Sequence, residues 1–440
     1  MSTLERARDR HLANYNGFAA GLGKESALVS TIRQYGARAF RRQGIPSRKL
    51  ENWRYTNLAP LAKLELAPVS PKLRTPAPPP AGLSLGDSAT RHFTLHDGHF
   101  TADPETEAPR DEGVQVQGLA RLRQTEPEQA ARLLSNTPID EHPFAALNTA
   151  FLDDGALIRA PRGVFDERTI QLVVAAGAYP DPRVSHPRVL VVAEPMSHLT
   201  LVLDFMNEGD GPGFTNAVTE LHLAEDAEVH LVIVQREHSK HFHIGGVFVH
   251  QERGSRFSCH TLSLGGALVR NDLSVQLAGE GAISNLQGLF VARESSVADN
   301  HTRVDHSVPH CESHELYKGI IGQGGRGVFH GHVIVQPDAQ QTLAEQRNPN
   351  LLLGEMAEID TRPQLEINAD DVRCSHGSTI GQLDTEALFY LQSRGIEESG
   401  AREILTRAFA EEILATIPIP ELRESLEPFV AEELAGLRGN

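Results

Sequence analysis

Between residues 155 and 368 the chain is a succession of short β-rich runs, and this most restricts what it can fold into. Residues 169–175, 189–193, 198–205, 218–223, 229–235 and 246–250 are each rich in Val, Ile, Leu, Thr and Phe, and each is bounded by Gly, Pro, Asp or Asn. No helical period of useful length interrupts them, so the region is expected to be all-β. The small residues Ala227, Ser255, Ala282, Gly327 and Ala357 each sit at the start of a run, and their spacing is nearly even apart from one longer gap, between Ala282 and Gly327. A loose repeat of this kind, with one insertion, fits a coil-by-coil β-solenoid. A sandwich or barrel also gives short strands, and the spacing favours the solenoid only slightly.

The flanks read differently. Residues 25–42 are good helix formers, with Leu28, Ile32, Tyr35 and Ala39 at helical spacing, and Gly44 and Pro46 stop them. Residues 67–80 carry six prolines and read as an extended, unpacked linker. A short helix is expected over 127–134. After the β region, Asp384 is an N-cap, residues 387–392 follow, and Gly395 is a stop. A second helix over about 401–416 gathers Ile404, Leu405, Phe409, Ile413 and Leu414 on one face and ends at Pro418 and Pro420, and a third runs from 421 towards 437. So little helix makes a poor core alone and must pack on the β region or on a partner. The expected division is 1–150, 151–380 and 381–440.

The 440 residues are long enough for more than one structural unit. The net charge of −17 argues against nucleic-acid or anionic-membrane partners. Arg38, Arg41, Arg42, Arg48 and Arg54 cluster locally and read as a solvated face. The N-terminal residues lack the apolar stretch of a secretory signal, and no run is apolar enough to cross a bilayer. Three scattered cysteines, Cys259, Cys311 and Cys374, suggest neither a disulfide framework nor a zinc knuckle, and a cytoplasmic location is expected.

Among 21 histidines, His330 and His332 are the best local pair, because alternate strand residues share a face. They open like a cupin metal motif, which then fails: Gln336 and Pro337 stand where a Glu is needed. A cupin-like or β-helical metal-dependent enzyme remains the rival reading. His301, His306, His310 and His314, with Cys311, are irregularly spaced and read as a surface loop. The glycines of 322–327 read as a β-turn. No phosphate loop is present, so ATP hydrolysis is not expected of this chain. The segment Asp370-Asp-Val-Arg-Cys-Ser-His-Gly377 offers a soft thiolate and a borderline imidazole two residues apart, able to hold iron together if the strand continues. Cys-x-His is common by chance, and taken alone the pair reads first as a buried structural cysteine with a capping histidine.

The wider context is more specific. Residues 350–384, which contain Cys374-Ser-His-Gly377, resemble the core signature of the SufB/SufD family of iron–sulfur cluster assembly scaffolds. So do Leu388-Phe-Tyr-Leu-Gln-Ser-Arg-Gly-Ile396 and the run 336–346, and Glu51-Asn-Trp-Arg-Tyr-Thr-Asn-Leu58 is similar to the family's N-terminal motif. The form of 374–377 matches the SufD branch. The resemblance implies a mainly β fold: a right-handed parallel β-helix between N- and C-terminal helical regions. It implies a non-enzymatic subunit that pairs with a SufB paralogue and binds an ABC-type ATPase, SufC, through its C-terminal helices. A transient iron–sulfur cluster would form at the SufB–SufD interface, and none would be held tightly by the chain alone. ATP-driven closure of the SufC subunits would shear that interface. His376 foremost, with Cys374 beside it, would be the residues offered to iron, on a hinge between the β region and the helices. Phe389, Tyr390, Ile404, Phe409 and Ile413 would dock the ATPase, and without its paralogue the chain would pair with itself.

Overall fold

The structure, a computed structural model, describes residues 1–22, 26–69, 82–86, 90–101 and 113–437. Of the linker expected over 67–80, residues 70–80 lie outside the described residues, as does Glu25. The N-terminal elements are α1 (Thr3–Gly21), α2 (Ala27–Gln43), α3 (Ala59–Lys63), β1 (Ala67–Pro68), β2 (Thr90–His96), β3 (His99–Thr101), β4 (Gln115–Gly118), α4 (Leu119–Thr125), α5 (Pro127–Leu134) and α6 (Pro143–Ala150). The β region follows as β5 (Ala156–Ala160), β6 (Phe165–Ala176), β7 (Arg183–Ser185), β8 (Arg188–Ala193), β9 (His198–Asn207), β10 (Phe214–Leu223), β11 (Glu228–Gln235), β12 (Phe242–Gln251) and β13 (Arg256–Ser263). It continues as β14 (Leu268–Leu277), β15 (Ile283–Ala292), β16 (Val297–His306), β17 (Glu312–Ile321), β18 (Arg326–Val335), β19 (Thr342–Leu352), β20 (Glu358–Ile367) and β21 (Val372–Gly381). The chain closes with α7 (Thr385–Ser393), α8 (Glu398–Leu414) and α9 (Pro420–Ala435).

From β8 onward successive strands alternate between two facing sheets, and within each sheet each of these strands pairs in parallel with the strand one coil on. The protein is therefore mainly β, a parallel β-solenoid of about eight coils flanked by helices. Along one sheet, Glu228, Arg256, Ile283, Glu312, Leu343 and Arg373 stand in register, so every coil takes nearly the same length of chain. The repeat read from small residues was real but crossed between sheets. Ala227, Ser255 and Ala282 precede β11, β13 and β15 on one sheet, whereas Gly327 and Ala357 belong to the other. The next member of the first series is Cys311, before β17, so no insertion is needed. All four corner residues are fully buried, where the chain turns into the core and only a small side chain fits.

Inward-facing residues of both sheets make the main core, from Ile158 and Leu201 to Phe290 and Phe329. The outer faces are covered unequally. Helices α1, α2, α3 and α6 pack on Phe214, Val218, Ile244, Phe248 and Leu268 of one sheet. The Glu51–Leu58 motif belongs to this contact: the Arg270 guanidinium lies 3.7 Å over the Trp53 ring, donates to the Asn52 carbonyl at 2.9 Å, and pairs with Asp299, which also accepts from Thr56. On the other sheet, α8 and α9 cover Val232, Leu262, Leu289 and Ile320 with Ile413, Leu422, Leu426 and Val430.

Two sequence expectations are corrected here. In α2 the buried residues are Val29, Arg33, Gly36, Ala37, Ala39 and Phe40, so of the expected face Ala39 is buried while Leu28 and Tyr35 are exposed. The cause is close packing on α6: a Cβ on Gly36 would lie 2.8 Å from the Ala146 carbonyl oxygen. The apolar stretch of α8 is not surplus either. Ile413 is fully buried on the solenoid and Phe409 is half-buried beneath the Lys318 ammonium, so neither presents a docking surface. Burying such a side chain is worth on the order of 2 kcal/mol, which ties α8 to this chain's own core. Ala67 and Pro68 are also packed, pairing with Arg183 and Val184.

Candidate functional site

The two ends of the solenoid differ. At the first coil, β3 and β4 pair antiparallel with β2 and β5 and stop the stack. Asp97 and Gly98, both at positive φ, form the tight turn between β2 and β3. Leu119, Leu122, Ala130 and Leu134 of α4 and α5 then cover Leu157 and Leu190. At the last coil, β20 and β21 are the outermost strands of their sheets, with no strand paired beyond them among the described residues. Met356, Ile367 and Ile380 are exposed there, Ile380 by 52%.

The Cys374/His376 segment lies on this open coil. It is not a hinge: both residues sit within β21, laddered to β19. Cys374 is in register with the core residue Ala344 and His376 with the buried Gln346, so both lie on the inward face. Cys374 is half-buried against the core, and burial raises its thiol above the usual range, which disfavours the thiolate. His376 is exposed, because no further coil covers it.

Beneath His376 the interior changes character. The inward column Leu231, Cys259, Leu286, Glu315, Gln346, His376 runs along one sheet, apolar at first and polar towards the open end. Burial pushes Glu315 up to about 7. Its carboxyl accepts from Thr302 Oγ1 at 2.6 Å and Gln346 Nε2 at 3.3 Å, and its Oε1 has no partner among the described residues. Beside it Asn348, Asn350 and Thr361 are knit together: Asn350 Nδ2 and Thr361 Oγ1 each donate to Asn348 Oδ1 at 2.7 Å. Sequence reading missed this column because its members lie a whole coil apart along the chain and only parallel register joins them.

The other candidates fall into place. His330 and His332 lie on one face of β18, but both nitrogens of His330 are engaged, with Gln364 Oε1 at 2.8 Å and His301 Nδ1 at 3.2 Å. Burial lowers His330 to about 4, so it stays neutral. Among the described residues the pair and a third side chain do not bring three donor atoms within mutual ligand reach. His301 and His306 lie on β16 and His314 on β17, not in a surface loop, and His310 alone occupies the turn. Cys311 is a buried corner residue. On the C-terminal helices, Phe389 and Tyr390 of α7 are 73% and 57% exposed and Ile404 of α8 is exposed. One set of metal-capable side chains does come within ligand reach among the described residues: His198, Glu228 and His230.

Known proteins match most of the chain in sequence. Residues 174–409 match the family model for the SUF system FeS cluster assembly SufBD core domain, and residues 8–172 match that for the SufBD protein N-terminal region. An iron–sulfur cluster assembly SufBD family protein of Synechocystis is 30% identical over 96% of this chain and 95% of its own length. The iron–sulfur cluster assembly protein SufD of Escherichia coli is 30% identical over 90% of both chains. A chloroplastic Arabidopsis thaliana protein, ABCI7, is 29% identical over 91% of this chain and 85% of its own. No helix among the described residues is long and apolar enough to cross a membrane.

Proposed function

The chain belongs to the SufBD family of the SUF iron–sulfur cluster assembly system, and we propose that it is the SufD-type scaffold subunit, joined through its open coil to a SufB-type paralogue. One observation carries this reading: a solenoid closed at one end and open at the other. Two parallel edge strands left bare invite further pairing, and a second solenoid can continue both sheets at once. The exposed Ile367 and Ile380 supply the apolar contact.

In this reading the cluster is cargo, built where His376 meets the paralogue's thiolates. The imidazole is offered at the rim, and the raised thiol of Cys374 makes it the lesser ligand. From below, Gln346 of β19 donates to Glu315, and Asn350 Nδ2 donates to the Thr379 carbonyl of β21 at 3.3 Å. The nucleotide chemistry belongs to a partner, a SufC-type ATPase that docks on residues 381–440 through Phe389, Tyr390 and Ile404. Phe409 and Ile413 serve the fold instead. The core 151–380 is the scaffold proper, behind the N-terminal region 1–150. The protein works in the cytoplasm as an assembly component and not as an enzyme. Without its paralogue it pairs with itself through the same coil.

The test is co-expression with the larger paralogue and the ATPase. Ile367→Arg with Ile380→Arg should abolish pairing with the paralogue and keep the ATPase. Phe389→Ala with Tyr390→Ala should do the reverse. If the arginine variant still co-purifies with the paralogue at wild-type yield, the open coil is not the interface. Deleting 385–440 is a poor substitute, since it would bare Val232, Leu262 and Ile320.

A further inference from the structure

His198 opens β9 and Glu228 opens β11, one coil later and in register beside it. His230 follows Glu228 by two residues and so shares its outward face. One donor atom from each of the three lies within 4.8 Å of the other two, and His230 Nε2 stands 3.1 Å from Glu228 Oε1. Four-coordinate binding with bonds of about 2.1 Å needs donors about 3.4 Å apart. A bound ion would draw the three donors together by side-chain rotation.

We propose that His198, Glu228 and His230 form a site for a divalent first-row transition-metal ion, Fe(II) or Zn(II). Two imidazoles and one carboxylate suit such ions and leave positions open to water. Hard calcium or magnesium would demand more oxygen donors than the site has. The rings are held ready. Phe165 stacks on His198 with centroids 4.5 Å apart, and the His198 and His230 rings lie 5.6 Å apart at 66°. His198 Nδ1 is buried with no hydrogen-bond partner among the described residues. The site borders the C-terminal helices: His260, on the next strand, bonds Thr416 Oγ1 at 3.1 Å just past α8. It lies on the outer face of the sheet, apart from the inward-facing Cys374 and His376.

The experiment is calorimetric titration of the chelator-stripped full chain with Zn(II), and anaerobically with Fe(II), in a Cys374→Ser/His376→Ala background. One equivalent should bind in that background. Glu228→Gln and His230→Ala should each weaken binding at least about tenfold. Circular dichroism of the apo variants should match the parent, as both positions are outside the core. Comparison of the two ions assigns which one the site takes. Absence of a one-equivalent step for both ions, or a step that survives the Glu228→Gln/His230→Ala double variant, overturns the proposal.

Discussion

The first and last coils of the solenoid are built from the same strand geometry and finished in opposite ways. The first is closed by antiparallel strands and by a leucine cluster from α4 and α5. The last shows bare edges, exposed isoleucines and an interior column that turns from Leu286 to Glu315, Gln346 and His376. A protein that only needed stability would close both ends, because open edges invite aggregation. Keeping one open, over a polar and hydrogen-bonded interior, fits the joint proposed for it. The polar network costs stability and supplies register instead.

The sharpest break of this comparison is a matched pair of truncations. Leu119→Ala at the closed end should lower the unfolding free energy by about 2–5 kcal/mol. Ile380→Ala at the open end should cost the isolated chain less than about 0.5 kcal/mol. Equal losses in chemical denaturation would mean that the two ends are not distinct.

Next in size is Glu315. In the folded chain it holds its proton up to about 7, while the unfolded chain releases it near 4.5. The stability it contributes is therefore full below about 4.5 and is lost as pH rises through 7, by up to about 3 kcal/mol. Glu315→Gln should flatten the stability profile across that window and leave the chain more stable than wild type at pH 8. An unchanged slope would remove Glu315 from the account.

His376→Ala should leave fold and pairing intact and cut cluster absorbance per complex by about tenfold after anaerobic reconstitution. Cys374→Ala should cost less. A full cluster yield from His376→Ala would take the function away from the rim. The smallest effects belong to His330→Ala and His332→Ala, within about 1 kcal/mol in stability and without loss of cluster. Loss of the cluster on changing His332 would revive the metal reading of that pair.

The sequence by itself determined the repeat of short strands, the helical flanks, and the motifs at 51–58 and 350–396. These are local: β-branched runs, Asp384 as a cap, Gly395 as a stop. Even Pro127–Leu134 was legible, because proline at the start and leucines at the end mark a short helix. Tertiary structure decided what no local pattern carries. It assigned Ala282 and Gly327 to different sheets, turned Leu28 of α2 outward, and drew Ile413 into the core. It set Gln346 beneath His376, and Glu228 beside His198, across one turn of chain. In a solenoid the neighbours that matter lie a full coil away along the chain, and their meeting depends on the exact length of every corner between them. Strand propensity cannot encode that length, because shifting the register by one residue reverses every inward and outward face.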